Sequence, residues 1–200
     1  VNLNSDSPYQ PRFQFEYDLK TDFSQQLYNL EVGEVYGPYK DGASWKLAKL
    51  LETKTISDSA EVKHILIAYE GTRVDPNETR TQEEAKALAD SLLTKLNADK
   101  DKYSDFAANF SADQQSGANG GELGTLKYGT LFAGDTDFND KVFNAKNGSI
   151  QVIESEFGYH IVHVDNVTEP KKAIKLTILS REVLPSDQTE NVIYREASNF

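Results

Sequence analysis

The sequence predicts an α+β fold, because two hydrophobic patterns alternate along its central part. Short stretches carry apolar residues at every second position, as strands do, and longer stretches carry them three or four positions apart, as helices do. From about residue 60 to 168 these stretches follow one another in the order β-α-α-β-α-β-β. This order predicts one α+β domain over that part of the chain.

The first half of this domain is predicted to contain one strand and two helices. The stretch "VKHILIAY" (62–69) predicts the strand. Thr81 and Glu84 form a capping-box pattern, in which each side chain bonds to the backbone N–H of the other residue at the start of a helix. A second helix is predicted from Ser104. The first helix should bury an apolar stripe that consists of Ala85, Leu88, Ala89, Leu92, Leu93 and Leu96.

The second half is predicted to close the sheet. It begins with the glycine-rich turn "SGANGGELG" (116–124), whose glycines are expected to adopt positive φ. A short helix through Phe138 follows and is expected to end at Gly148. Two further strands are predicted at 150–153 and 159–164.

The segment before this domain contains a weak repeat of its second half. A strand is predicted at 13–19, a short helix after Asp22 and a strand at 45–52. Six residues of this segment recur in the same order further along the chain: Phe23, Leu27, Tyr28, Asn29, Gly33 and Val35 match Phe138, Val142, Phe143, Asn144, Gly148 and Ile150.

The repeat extends to the strand that closes the domain. With one residue of slippage "WKLAKL" (45–50) matches "YHIVHV", so that Lys46 stands where the domain has His160. After the domain, "IKLTIL" (174–179) and a helix through Ile193 and Ala197 are similar to the start of the domain. Residues 1–58 are therefore predicted to form a degenerate half-domain or a chaperone segment, and 169–200 the start of a C-terminal segment of strand plus helix.

Composition excludes several classes of function. The formal charge of −11 argues against nucleic acid and anionic membrane surfaces as partners. Without cysteine the chain has no disulfide, thiol nucleophile or zinc–thiolate site. No run approaches the roughly 20 apolar residues of a membrane span, and no signal peptide is visible. Because the chain lacks Met and starts in a polar stretch, we expect it to be a piece of a longer protein.

Three stretches, in this order, resemble the parvulin family of peptidyl-prolyl cis-trans isomerases: "KHILI" (63–67), "SADQQSGANGGELG" (111–124) and "FGYHIV" (157–162). The combination of a His-bearing strand, an acidic residue before a GG-x-LG turn, an F…VF helix and FGYHIV is specific. The resemblance covers residues 61–165. It implies a parvulin-like antiparallel sheet of about four strands with flanking helices, and a prolyl isomerase domain over 60–168.

The resemblance also implies the residues of the site. In parvulins two histidines lie back to back beneath the proline-binding cleft and bond to each other and to a cysteine or aspartate. The matching histidines here are His64 and His160. The acidic member matches Asp113, although Gln114 follows directly, and Ser155 matches a hydroxyl of the same network. The implied proline pocket consists of Leu123, Leu131 and Phe138.

These residue types suit a non-covalent reaction. Rotation about an Xaa-Pro bond must break amide resonance, but it needs no bond to an enzyme nucleophile. An apolar pocket for the proline ring and suitable hydrogen-bonding groups are sufficient. No cofactor or metal is expected. The stretch "DTDFND" (135–140) begins like a calcium loop, but it has Asp140 at the glycine position and Lys146 at the glutamate position.

Other interpretations of the same residues stay open. Each histidine alone could be a core residue with a satisfied hydrogen bond, and the pair could hold the shape of the cleft instead of taking part in the reaction. The rival function is a chaperone module that uses the parvulin fold only to hold peptides. The repeat shows through Lys46 that the fold pattern can persist without the histidine. Because the strand alone does not require a histidine, the repeat also favours a site role of His160 over a core role.

The resemblance extends to the expected clients. Among parvulin proteins the chain most resembles envelope folding factors of the SurA, PpiD and PrsA type. This implies a periplasmic or other cell-envelope location and, as partners, unfolded or nascent proteins that contain Xaa-Pro; any membrane anchor would lie outside this piece. Phosphate-directed parvulins carry a basic cluster after the first strand. Here the loop 70–84 contains Arg73 and Arg80 among five acidic residues, so uncharged residues before proline are expected.

Overall fold

The computed structural model describes residues 4–9, 12–130 and 136–198. The chain divides into two compact units. The central unit consists of Thr55–Lys171, and the flanking unit of Val1–Lys54 and Lys172–Phe200. Each contains a four-stranded antiparallel sheet with helices beside it, which confirms the predicted α+β fold class.

The helices and strands have the following bounds in chain order. They are β1 (Phe13–Gln14), α1 (Ser24–Tyr28), β2 (Val35–Asp41), β3 (Ser44–Ile56), β4 (Ser59–Ile67), α2 (Gln82–Ala98), α3 (Tyr103–Phe110), α4 (Gln114–Gly117), β5 (Glu122–Lys127), α5 (Thr136–Phe143), β6 (Ser149–Ser155), β7 (Gly158–Val167), β8 (Lys171–Glu182) and α6 (Asp187–Ser198). Single 3-10 turns lie at Glu16–Asp18 and Lys100–Lys102.

The sheet of the central unit has the strand order β5-β4-β7-β6. Its elements follow the predicted order along the chain, with the short helix α4 as an addition. The helix α2 begins with the predicted capping box, because the Thr81 hydroxyl accepts from Glu84 N and the Glu84 carboxylate accepts from Thr81 N. The helix α3 begins one residue before Ser104, directly after a 3-10 turn.

One face of this sheet packs against α2 and α3. Ile65 of β4 and Ile161 of β7 are fully buried there, as the alternation of strand side chains predicts. On the helices, the partners of these strands are Ala85, Ala89, Leu92, Leu96, Tyr103 and Ala107. Because this face is filled by core residues, polar side chains of the neighbouring positions point to the opposite face.

The flanking unit is assembled from both ends of the chain. Its sheet has the order β1-β8-β3-β2, so the strand after the central unit lies between two strands that precede it. Its core joins residues of α1 to residues of the sheet: Leu19, Leu27, Leu30, Tyr39, Ala48, Leu50, Ile174 and Leu176.

The strand predicted at 13–19 is wrong beyond Gln14. Residues 16–18 form a 3-10 turn instead. Asp18 stabilises this turn, because its carboxylate accepts from Phe15 N at 3.0 Å while its own N–H donates to the Phe15 carbonyl. Alternating hydrophobicity did not reveal that local bond. Among the described residues no helix has both the length and the hydropathy that crossing a lipid bilayer requires.

Candidate active site

Two histidines lie on one face of the central sheet, on neighbouring strands. In the β4–β7 register His64 is opposite Val162 and His160 is opposite Leu66, so the two histidines are diagonal neighbours on the same face. Their Nδ1 atoms are 3.1 Å apart. His64 is 5% exposed and His160 is fully buried, so each ring nitrogen needs a partner within the protein.

Asp113 supplies the partner of His64. It is the N-cap of α4, and its Oδ1 accepts from the backbone N–H groups of Gln115 and Ser116. Its other oxygen lies 2.9 Å from His64 Nε2. Gln114, the neighbouring candidate in the sequence, is the first residue of α4.

Ser116 is a member of this cluster that the sequence analysis missed. Its hydroxyl donates to Asp113 Oδ2 at 2.6 Å and lies 3.0 Å from His64 Nε2. Its position three residues after the helix cap is the available signal, because that residue faces back to the cap at a helix start.

Ser155 supplies the partner of His160 at the turn between β6 and β7. Its Oγ lies 2.6 Å from His160 Nε2 and accepts from Phe157 N at 3.1 Å. Gly158, which starts β7, has φ of +130°, and a Cβ there would collide with the carbonyl oxygen of Ile67. Glycine therefore allows β7 to begin close against the end of β4.

The donors and acceptors of this cluster define one direction of hydrogen bonding. An ionised Asp113 only accepts, so the Nε2 of a neutral His64 carries the hydrogen and its Nδ1 accepts from His160 Nδ1–H. The unprotonated Nε2 of His160 then accepts from the Ser155 hydroxyl. These tautomers are assigned from the network. Each ring nitrogen of the two histidines thereby has a hydrogen-bond partner in the series that runs from Ser155 through His160 and His64 to Asp113.

The charges follow from burial. Burial lowers the pKa of His64, although the hydrogen bond to Asp113 opposes this effect. The pKa of His160 falls from 6.5 to about 3, because the ring is buried and because a charged His64 would repel a second charge. Burial alone would raise the pKa of Asp113, but hydrogen bonds from Ser116 and His64 outweigh it and lower that pKa to about 2. At neutral pH the site therefore holds two neutral histidines and one carboxylate.

The structure describes two of the three implied pocket residues, Phe138 and Leu123. The Phe138 side chain is 2% exposed and its ring stands edge-on to the His160 ring at a centroid distance of 5.3 Å. Leu123 is half-buried on β5, at the irregularity in its pairing with β4. Leu131 lies outside the described residues. Phe138 is therefore in contact with the histidine pair.

The third histidine lies apart from this network. His163 belongs to the opposite face of β7, where its ring is 5.4 Å from the Tyr103 ring and its Nδ1 is 3.4 Å from Asp165. In the described part of the chain, no three His, Asp or Glu side chains come together as metal ligands do. The site consists of the hydrogen-bonded cluster and the aromatic wall beside it.

An antiparallel sheet with back-to-back histidines, an aspartate on one of them and an aromatic wall on the other defines a parvulin-type domain. The family model for the PPIC-type PPIase domain matches residues 45–168, which is more than half of the chain. The chain belongs to this family.

The relatives SurA and PrsA agree with this assignment. The chaperone SurA of Alcanivorax borkumensis is 29% identical over 152 residues, which are 74% of this chain and 33% of that protein. The foldase PrsA of Staphylococcus aureus is 28% identical over 152 residues, 74% of this chain and 46% of PrsA. The chain thus spans less than half the length of these relatives. Among solved structures, the peptidyl-prolyl isomerase ESS1 from Candida albicans superposes with a TM-score of 0.48 and 26% identity, over 55% of this chain and 63% of that one.

Proposed function

We propose that the central unit is a peptidyl-prolyl cis-trans isomerase that acts on Xaa-Pro bonds of unfolded or nascent proteins. The observation that carries this proposal is the continuous hydrogen-bonded chain from Ser155 through His160 and His64 to Asp113, with Phe138 against His160. A buried network of this kind is costly unless all its members are satisfied. Its presence beside an aromatic wall favours a role in ligand recognition and catalysis.

The mechanism we propose is non-covalent. The barrier to rotation, about 18–20 kcal/mol, comes from amide resonance, and the free reaction takes tens to hundreds of seconds. In the twisted amide the nitrogen lone pair is no longer delocalised into the carbonyl group, so the carbonyl oxygen carries less negative charge. A desolvated cleft favours this less polar state, and Phe138, Leu123 and Leu131 would enclose the proline ring. The neutral histidines and Asp113 would fix the electrostatics of the cleft in advance.

The loop after β4 supports a preference for uncharged residues before proline. Arg73 Nη1 lies 3.2 Å from Glu156, and Arg80 is bonded to Glu78 and to the Ala68 carbonyl. Both arginines of this loop are therefore engaged by protein acceptors. A phosphoserine before proline would have to compete with Glu156 and Glu78 for these arginines.

We further propose that the protein works outside the cytoplasm as part of a larger folding factor. The relatives are named a chaperone and a foldase, which supports proteins as substrates. The resemblance to envelope folding factors supports a periplasmic or other cell-envelope location. Clients with exposed Xaa-Pro bonds would meet the cleft before they fold.

A protease-coupled assay on the peptide Ala-Leu-Pro-Phe tests the isomerase. We expect acceleration by the intact chain, and a decrease in kcat/KM of about tenfold to a hundredfold in His160→Ala and in Asp113→Ala. His163→Ala is the matched control and should retain the wild-type rate, since His163 lies on the other face of the sheet. If the intact chain gives no acceleration yet suppresses the aggregation of an unfolded client, the chaperone alternative replaces the enzyme.

A further inference from the structure

Tyr103 lies at the start of α3, on the face of the central sheet opposite the histidine pair. Its side chain is 4% exposed, and its hydroxyl donates to the Ile161 carbonyl at 2.6 Å. Burial raises the pKa of Tyr103 and outweighs the opposing effect of the His163 backbone, so the hydroxyl keeps its proton. A phenylalanine would fill the same apolar core. The hydroxyl therefore adds to this packing one directed bond to β7.

The backbone of β4 directs its hydrogen bonds alternately to its two sides, as a strand inside an antiparallel sheet does. His64 N donates to the Gly121 carbonyl at 2.8 Å, and Leu66 N donates to the Ser111 hydroxyl at 3.1 Å. Both bonds lie on the side of β4 that faces away from β7. Ile65, between these two residues, therefore directs its own N–H and carbonyl to β7.

The carbonyl that accepts from Tyr103 belongs to the backbone pair that joins the two histidine-bearing strands. Ile65 is opposite Ile161 in the β4–β7 register. Ile65 directly follows His64, and Ile161 directly follows His160. A displacement of this pair would move both imidazoles, whose Nδ1 atoms are 3.1 Å apart. The bond between these atoms would weaken, because a hydrogen bond depends steeply on distance and angle.

The Tyr103 ring supports the backbone on the other side of β4. A Cβ on Gly121 would lie 3.3 Å from Tyr103 Cε1, so the ring lies close against this glycine. The Gly121 carbonyl is the acceptor of the bond from His64 N. Tyr103 therefore contacts the backbone on both sides of His64, through its hydroxyl towards β7 and through its ring towards β5.

The other end of α3 leads to the acidic member of the network. Directly after the helix, the Ser111 hydroxyl accepts from Leu66 N, and Ala112 N donates to the Leu66 carbonyl at 2.7 Å. The next residue is Asp113, which lies 2.9 Å from His64 Nε2. The helix α3 is thus bonded to β7 at its first residue and to β4 directly after its last.

We propose that Tyr103 is a positioning residue of the active site, which sets the spacing of His64 and His160 through its bond to the Ile161 carbonyl. The expected effect on the rate rests on the proposed function, since the network is taken to act in isomerisation. A preorganised network loses effectiveness when its members move out of alignment. Because Tyr103 lies on the far face of the sheet and does not touch the peptide, its hydroxyl should affect kcat and not KM.

Tyr103→Phe tests this proposal, because it removes the bond and keeps the ring. With the peptide Ala-Leu-Pro-Phe we expect kcat to fall about threefold to tenfold and KM to change less than about twofold. In the chain labelled with ¹⁵N at histidine, the imidazole signals of His64 and His160 should shift, because the bond between their Nδ1 atoms changes its geometry. The amide spectrum of the variant reports that the central unit is folded.

Tyr28→Phe is the matched control. The Tyr28 hydroxyl also donates to a main-chain carbonyl at 2.6 Å, that of Lys172, but in the flanking unit. This variant loses a bond of the same kind and should keep the wild-type kcat and the wild-type imidazole signals. An equal loss of kcat in Tyr28→Phe would show that general stability explains the effect, and it would overturn the proposal.

The intact chain allows a second measurement that needs no variant. The hydroxyl proton of Tyr103 should exchange with water far more slowly than that of Tyr194, which is 74% exposed. The proposal is overturned if the two protons exchange alike, or if folded Tyr103→Phe keeps either the wild-type kcat or the wild-type imidazole signals. If the intact chain gives no acceleration at all, the proposed isomerase fails, while the imidazole spectra still test whether Tyr103 sets the spacing of the histidines.

Discussion

The two sheets of this chain place different side chains at corresponding positions. In the central unit His64, His160 and Asp113 form one hydrogen-bonded cluster. In the flanking unit Lys46 stands where the sequence repeat has His160, and the sheet has the corresponding strand order without the histidine pair. The fold therefore does not require the histidines. Since burying them is costly, the comparison favours a functional reason for their presence.

The largest expected difference concerns a glycine of the central unit. Gly121 has φ of +82°, and a Cβ there would lie 2.5 Å from the carbonyl oxygen of His64. Gly33 of the flanking unit has φ of +92° with open space around it. We expect Gly121→Ala to lower the free energy of unfolding by about 3 kcal/mol because the backbone must shift, and Gly33→Ala by about 1 kcal/mol from the φ strain alone.

Denaturant titration followed by two probes measures this difference. The single tryptophan, Trp45, lies in the flanking unit and reports its unfolding by fluorescence. Circular dichroism reports both units. Equal losses in the two glycine variants would show that the contact of Gly121 with β4 does not limit the stability of the site.

The next comparison uses the two phenylalanines of the repeat. Phe138 stands against the His160 ring, whereas its counterpart Phe23 lies 4.8 Å, between ring centroids, from Tyr39. Phe138→Ala should lower kcat/KM about tenfold or more, because the proline ring loses an apolar wall. Phe23→Ala should leave kcat/KM unchanged in the peptide assay. A similar loss in both variants would mean that the aromatic wall acts through overall stability.

The pH dependence of stability should also separate the units. The folded His160 has a pKa of about 3 against an ordinary value of 6.5, so between these values the unfolded chain binds a proton that the folded chain does not. The free energy of unfolding of the central unit should therefore fall as pH decreases from 6.5 towards 3. Protonation of Asp113, with a pKa of about 2 against 3.8, adds a further loss at the acid end.

Urea titrations at pH 7.5 and pH 5.0 check this expectation. The central unit should lose more stability than the flanking unit, whose unfolding Trp45 reports, and His160→Gln should reduce the difference. An unchanged pH dependence in His160→Gln would contradict the assignment of a buried neutral imidazole.

The smallest expected effect belongs to Ser155. Removing its hydroxyl in Ser155→Ala leaves His160 Nε2 without its donor, which is worth about 1 kcal/mol or roughly a fivefold loss in kcat/KM. Ser149→Ala is the matched control, because the Ser149 hydroxyl is buried and has no hydrogen-bond partner among the described residues. Ser155→Thr should restore most of the activity, whereas a complete lack of effect in Ser155→Ala would place Ser155 outside the working network.

Local motifs made the central unit predictable. Periodicity and the capping box at Thr81 gave its elements in order, and the resemblance named four polar residues that the structure brings into one chain of hydrogen bonds. The place of Ser116 in this network was not predicted, because it depends on the helix cap that Asp113 forms. Recognition of that role requires the three-dimensional start of α4.

The flanking unit was less predictable because its contacts are non-local. Phe13 on β1 is opposite Lys175 on β8, far away in the sequence, and no local pattern encodes that pairing. The strand predicted at 13–19 ended early because Asp18 bonds back to Phe15. The repeat predicted that the segment before the central unit is related to that unit. It could not show that this segment pairs with the strand that follows the central unit.

Exchange spectroscopy on the peptide Ala-Leu-Pro-Phe tests the central claim most directly. With the intact chain, NMR cross-peaks should connect the cis and trans forms of the peptide on a time scale far shorter than the uncatalysed tens to hundreds of seconds. They should persist in Lys46→Ala and become at least tenfold slower to build up in His160→Ala, although the peptide still binds. Cross-peaks of equal intensity in His160→Ala, or none with the intact chain, would contradict the assignment of isomerisation to the histidine network.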